Sequence, residues 1–166
     1  MNKAVMLSVR PKWVGKIANG EKTIEVRKTK PNLPTPFKAY IYCSQGNDAR
    51  RLRGSWGKVI GEFTCDRIFP INVFDNGSIQ NWLFEHMERS CLTYEELADY
   101  TGHGWHTSDL LIYDQPRELS EFQRATDPCD SCHAEYTWEC TGCKKFGGDI
   151  KRPPQSWCYV EAMKDD

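Results

Sequence analysis

The spacing of apolar residues changes period twice within the first third of the chain. Met6-Leu7-Ser8-Val9 is a short apolar run that predicts a strand. Pro11 then suits a first helical position, and Trp13, Val14 and Ile17 recur at i, i+1 and i+4, with Asn19-Gly20 ending the helix. From Glu21 to Arg27 the pattern alternates, which places Ile24 and Val26 inward and projects Thr23, Glu25 and Arg27 together from the other face.

Proline marks residues 31 to 36 as a loop, and Phe37 to Cys43 alternates as the next strand. Residues 44 to 56 form a polar excursion around Arg50, Arg51 and Arg53. Lys58 to Cys65 is a third strand, whose Gly61 marks a bulge or a close backbone approach. Ile79, Trp82, Leu83 and Met87 share a helical face within 78–101, where Thr93-x-x-Glu96 is a capping box. Ser108 to Tyr113 and Trp157 to Ala162 read as further strands. The expected class is α+β: one domain over 1–166, mostly strand, with short helices.

Composition limits the function classes. The chain has 166 residues, 39% of them hydrophobic and 12% aromatic, enough for a core and too many for a disordered chain. No apolar run reaches bilayer length and no secretory signal is visible, so a soluble, cytoplasmic protein without a membrane partner is expected. Net charge is -1, yet residues 1–60 hold 13 Lys/Arg against 3 Asp/Glu and residues 61–166 hold 9 against 20. The basic part, including Arg10, Arg50, Arg51 and Arg53, suits a phosphate backbone; pairing of the two parts within the fold is the competing explanation.

Eight cysteines in a reducing compartment call for a thiol explanation. Cys129-x2-Cys132-x7-Cys140-x2-Cys143 offers two knuckles, whose four thiolates satisfy tetrahedral Zn2+ with no open position. A closed shell indicates a structural zinc rather than a catalytic one, in an insert of about 127–150. Iron fits the same four thiolates, and disulfides or a redox pair are the weaker alternatives. Cys43, Cys65, Cys91 and Cys158 lie in strand or apolar contexts expected of small buried hydrophobes.

Gly20-x-Lys22-x-x-Glu25-x-Arg27 matches the GxKxxExR signature, and in this the chain resembles the ASCH domain, a PUA-like mixed β-barrel. Leu7 to Pro11, Val59 to Glu62 and Pro153 to Glu161 look like stretches of bacterial and prophage members that carry a cysteine-rich insert. The resemblance implies a cleft beside the barrel, lined by Lys22, Glu25 and Arg27, for RNA, a nucleotide or a modified nucleobase. A purely structural Glu25–Arg27 ion pair would satisfy the same residues.

The resemblance also carries an enzymatic alternative. Some ASCH-like proteins are amidohydrolases of acylated cytidine, and others are ribonucleases; Lys22 and Glu25 would then be catalytic. In the amidohydrolases a threonine stands where this chain has Glu25, although Thr23 shares the Glu25 face. Among the aromatic residues Trp56, between Gly54 and Gly57, is the expected exposed stacking platform. His103 and His106 are expected on a solvent-exposed turn, with a second metal or acid–base site as the alternative.

Overall fold

A computed structural model of the chain describes residues 3–46, 54–72, 86–98, 100–125 and 148–163. Its elements run β1 (Lys3–Val9), α1 (Pro11–Ala18), β2 (Ile24–Arg27), β3 (Phe37–Cys43), β4 (Lys58–Asn72), α2 (Tyr94–Ala98), β5 (Thr101–Glu118), β6 (Gln123–Arg124), β7 (Gly148–Asp149) and β8 (Trp157–Glu161). Residues 86–90 are also helical. All eight strands join one sheet in the order β2-β5-β4-β3-β1-β8-β6-β7. Among the described residues the β1–β3 pairing is parallel and the other ladders are antiparallel.

The sheet curls until its first strand meets its middle. Arg27, at the end of β2, donates through Nη2 to the Ser8 carbonyl of β1 at 2.8 Å and through Nη1 to the Ser156 carbonyl, just before β8, at 3.2 Å. Trp157 Nε1 donates to Thr29 Oγ1 at 3.0 Å across the same seam. A barrel-like wall therefore closes through side chains, where no backbone ladder links β2 to β1 or β8. The expected mixed, PUA-like α+β architecture agrees with this arrangement.

Both faces of β1 and β3 are covered, which explains why those strands are apolar at nearly every position. Val5, Leu7 and Val9 pack with Ala39, Ile41, Phe63 and Trp105, beneath Val14 and Ile17 of α1. The alternate residues Ala4, Met6, Tyr40 and Tyr42 pack on the other face with Phe122, Ile150 and Val160. Among the described residues no helix is long and apolar enough to cross a membrane.

Two long strands exceed the sequence expectation: β4 continues to Asn72, and β5 covers 18 residues where 108–113 was expected. Their ladder tolerates this length through register shifts between Val59 and Gly61, Glu62 and Thr64, and Cys65 and Ile68. Gly61 meets its expectation of a bulge and a close approach, since a Cβ there would strike the Leu111 carbonyl. The histidine turn is corrected. His103 and His106 lie in β5, paired with Arg27 and Ile24 of β2, because Gly102-x-Gly104 is not a turn. A Cβ on Gly104 would strike the Phe69 ring, so glycine lets β2, β4 and β5 approach closely.

Within the expected helical region, Met87 falls in the helical residues 86–90 and α2 begins after Thr93. Thr93 N–H donates to Glu96 Oε2 at 2.8 Å and Glu96 N–H donates to Thr93 Oγ1 at 3.3 Å, the expected capping box. Ile79, Trp82 and Leu83 lie outside the described residues.

Candidate functional site: a cleft over a buried carboxylate

The signature motif is a turn that delivers charge inward. Asn19 caps α1 and Gly20 follows at φ 80°, a left-handed conformation that costs glycine little. Glu21 N–H donates to Asn19 Oδ1 at 3.1 Å, and Lys22 N–H donates back to the Lys16 carbonyl at 2.9 Å. The chain thereby reverses and drives Lys22 into the protein, where it is only 3% exposed.

Lys22, Glu25 and Arg27 meet as an ionic chain. Lys22 Nζ donates to the Ser90 carbonyl at 2.6 Å and lies 3.5 Å from Glu25 Oε2. That second separation provides charge attraction, but no aligned hydrogen bond reaches Oε2. Glu25 Oε1 pairs with Arg27 Nη2 at 2.9 Å, and the two side chains are 8% and 12% exposed. The sequence reading of Glu25 and Arg27 projecting together is met, with one change: their face is interior. Burial outweighs the attraction of Glu25 and lowers the Lys22 pKa below its ordinary 10.5.

A cleft of about 350 Å³ opens beside this chain, lined by residues that include Ser8, Arg10, Trp13, Glu25, Arg27 and Ser44. Arg10 is exposed at its mouth, whereas Glu25 is buried. Pro153, Pro154 and Gln155 complete the opposite side. Lys22 is not among the lining residues; its ammonium lies 5.1 Å from the Trp13 ring centre, and that of Lys12 4.3 Å.

Other expected residues are placed elsewhere. Thr23 Oγ1 accepts from Arg89 Nε at 3.3 Å and does not line the cleft, although it borders Lys22. Trp56, expected as the exposed ring, is partly buried against the interior cluster, with Nε1 enclosed and unpartnered. The aromatic wall of the cleft is Trp13 instead, which helical spacing had marked as a packing residue. His106 Nδ1 lies 2.6 Å from Asp66 Oδ1, and this hydrogen bond and charge, against opposing desolvation, lower the Asp66 pKa. Arg50, Arg51 and Arg53, and the thiols Cys129, Cys132, Cys140 and Cys143, lie outside the described residues. Among the described residues no group of three or more His, Cys, Asp or Glu is placed to hold a metal ion.

The lowered Lys22 pKa fixes a sign. Between its folded value and 10.5 the unfolded chain binds the extra proton, so the Lys22 contribution to stability rises with pH across that window and is lost below it. Urea unfolding of wild type and Lys22→Met at pH 7.5 and pH 10 is expected to show the difference shifting toward wild type at the higher pH. A shift toward the variant would contradict the assignment.

The chain matches no protein-family model and no curated protein sequence. Solved structures do match it. ASCH from Zymomonas mobilis aligns with a TM-score of 0.54 at 18% identity, covering 95% of this chain and 87% of that one. A tyrosine-to-phenylalanine variant of the Zymomonas protein gives 0.57 at 18% identity, covering 95% and 90%. A serine-to-alanine variant gives 0.56 at 17%, covering 95% and 88%. At this identity the likeness concerns the fold: the curled mixed sheet that carries the cleft is an ASCH-like fold.

Proposed function

We propose that the cleft binds RNA or a nucleotide-like ligand, including a modified nucleobase, through Glu25, Arg27 and Arg10, with Lys22 supporting Glu25 from outside the cleft lining. The buried Glu25–Arg27 pair at the cleft wall carries this reading. Glu25 Oε1 and Arg27 Nη2 pair at 2.9 Å in residues that line a ligand-sized space, and Lys22 Nζ lies 3.5 Å from Glu25 Oε2. Trp13 adds an aromatic wall of the kind that nucleobases contact. Arg50, Arg51 and Arg53 follow the site in sequence and supply positive charge for a strand backbone. Thr23 is assigned to support of this region, through its contact with Arg89.

Binding to single-stranded RNA should depend steeply on salt. If Arg10, Arg50, Arg51 and Arg53 each neutralise one phosphate, affinity falls about 50-fold between roughly 50 and 200 mM salt. Fluorescence anisotropy with a labelled oligoribonucleotide measures this. Absence of binding at the lower salt, or a flat salt response, would count against the reading.

Hydrolysis is the second reading, favoured by the lowered Lys22 pKa beside a carboxylate. Lys22 and Glu25 would be its catalytic pair, acting on RNA or an acylated cytidine. Mass analysis of both substrates after incubation separates it from binding alone: turnover lost in Lys22→Ala supports hydrolysis, and unchanged substrates leave binding as the function.

The cysteine insert is proposed to hold one structural Zn2+ through Cys129, Cys132, Cys140 and Cys143. Its support is the knuckle spacing together with the pairing of β6 and β7, Gln123 with Asp149 and Arg124 with Gly148, which brings the two ends of the insert together. Elemental analysis is expected to find one zinc per chain, lost on Cys140→Ser with a lower unfolding temperature. Metal content unchanged by that substitution would overturn the assignment.

A further inference from the structure

We infer that a single-stranded nucleic acid lies along a basic rim around the cleft, its phosphates held by Lys28 and Lys30 on one stretch of chain and by Lys151 and Arg152 on another. This rests on the RNA-binding reading of the cleft and adds the residues that hold the strand outside it.

Three segments frame the cleft, and each carries or adjoins exposed cations. Ser8 to Trp13 contains Arg10, Glu25 to Arg27 continues into Lys28 and Lys30, and Pro153 to Gln155 follows Lys151 and Arg152. Side-chain hydrogen bonds tie these segments together. Ser8 Oγ donates to the Pro154 carbonyl at 2.5 Å, Arg27 Nη1 to the Ser156 carbonyl at 3.2 Å, and Trp157 Nε1 to Thr29 Oγ1 at 3.0 Å. Cations that are far apart in sequence therefore belong to one rim.

The charge of this rim is uncompensated. Elsewhere Lys16 pairs with Glu21 at 3.2 Å, Lys38 with Glu62 at 2.9 Å and Lys58 with Glu118 at 2.8 Å. Among the described residues Arg10, Lys28, Lys30, Lys151 and Arg152 make no ion pair. Residues 1–20, 26–47 and 150–160 contain no Asp or Glu, and Glu25, on the cleft wall, is already engaged by Arg27 and Lys22. The net charge of the chain is only -1, so attraction for a polyanion is a property of this rim and not of the molecule as a whole.

The surroundings select the polyanion. A membrane surface calls for exposed apolar side chains beside the charge. The exposed large apolar residues, Tyr94, Leu110, Leu111 and Ile112, lie on α2 and β5 and not on the framing segments. The rim instead surrounds a cleft with Trp13 in its wall, a ring that only an unstacked base can meet, which favours a single strand over a duplex. A space of about 350 Å³ is at the small end of ligand sites, so most of a strand must lie outside it, over the rim.

The double variants Lys28→Ala with Lys30→Ala, and Lys151→Ala with Arg152→Ala, change exposed positions only. Fluorescence anisotropy with a labelled oligoribonucleotide of about 12 nucleotides across a salt series reads their effect. Each pair is expected to weaken binding and to make the slope of log affinity against log salt shallower by about 1.4, the value for two phosphates of a single strand. Lys38→Ala with Lys58→Ala removes the same charge away from the cleft and should leave the slope unchanged. An unchanged slope in either rim variant, or an equal loss in the control, would overturn the inference and leave the cleft as a ligand site. Trp13→Leu separates the two readings: it should weaken binding at constant slope, and if it changes nothing while the rim variants act, the cleft reading falls alone. No oligonucleotide binding by the wild type overturns both. Cosedimentation with phosphatidylserine vesicles, lost in the rim variants and without oligonucleotide binding, would assign the rim to a membrane surface and overturn the inference.

Discussion

A carboxylate enclosed between a lysine and an arginine organises this protein. Moving Glu25 out of water costs several kcal/mol, which its charge partners must offset. The offset requires both Lys22 and Arg27 to be turned inward from the same short stretch of chain. That requirement explains the local sequence: Gly20 reverses the helix exit, two residues separate Lys22 from Glu25, and alternation along β2 returns Arg27 to the Glu25 side. Arg27 then uses its remaining donors to hold β1 and the segment before β8, and Lys22 holds the helical residues 86–90 through Ser90. Sheet closure and cleft formation are two results of one ionic chain.

Local patterning revealed those elements whose cause is local. The α1 boundaries, β2, β3, the capping box at Thr93 and the bulge at Gly61 follow from spacing, caps and glycine. What it concealed depends on partners distant in sequence. Residues 101–107 carry glycines and histidines that imitate a turn, yet the crowding of Phe69 and β2 against Gly104 makes glycine the residue a strand needs there. Trp13 was legible as an apolar helix position, while its place at the cleft depends on the fold of the Pro153–Gln155 segment opposite. Trp56 looked solvent-facing among glycines and arginines because the sequence does not show the interior cluster against which it packs.

The candidate site was legible as chemistry and not as geometry. Lys22, Glu25 and Arg27 stood out as three charged side chains converging beside a turn. Their burial, the engagement of Lys22 by Ser90 and that of Arg27 by the Ser8 and Ser156 carbonyls all arise from tertiary contacts. Those contacts divide the labour: Lys22 sits behind Trp13 as a support, and Glu25, Arg27 and Arg10 face the cleft. The strands that flank the cysteine segment in sequence, β6 and β7, lie at the end of the sheet order beyond β8, away from β2.

The claim on which this account turns is the energetic coupling of Glu25 and Arg27. A double-mutant cycle of Glu25→Gln and Arg27→Met, followed by urea unfolding, measures it directly. A buried pair that closes the sheet should give a coupling of about 1 to 3 kcal/mol, with each single variant clearly destabilised. A coupling near zero, with losses that simply add, would mean that the two side chains act independently and that the ionic chain does not organise the cleft.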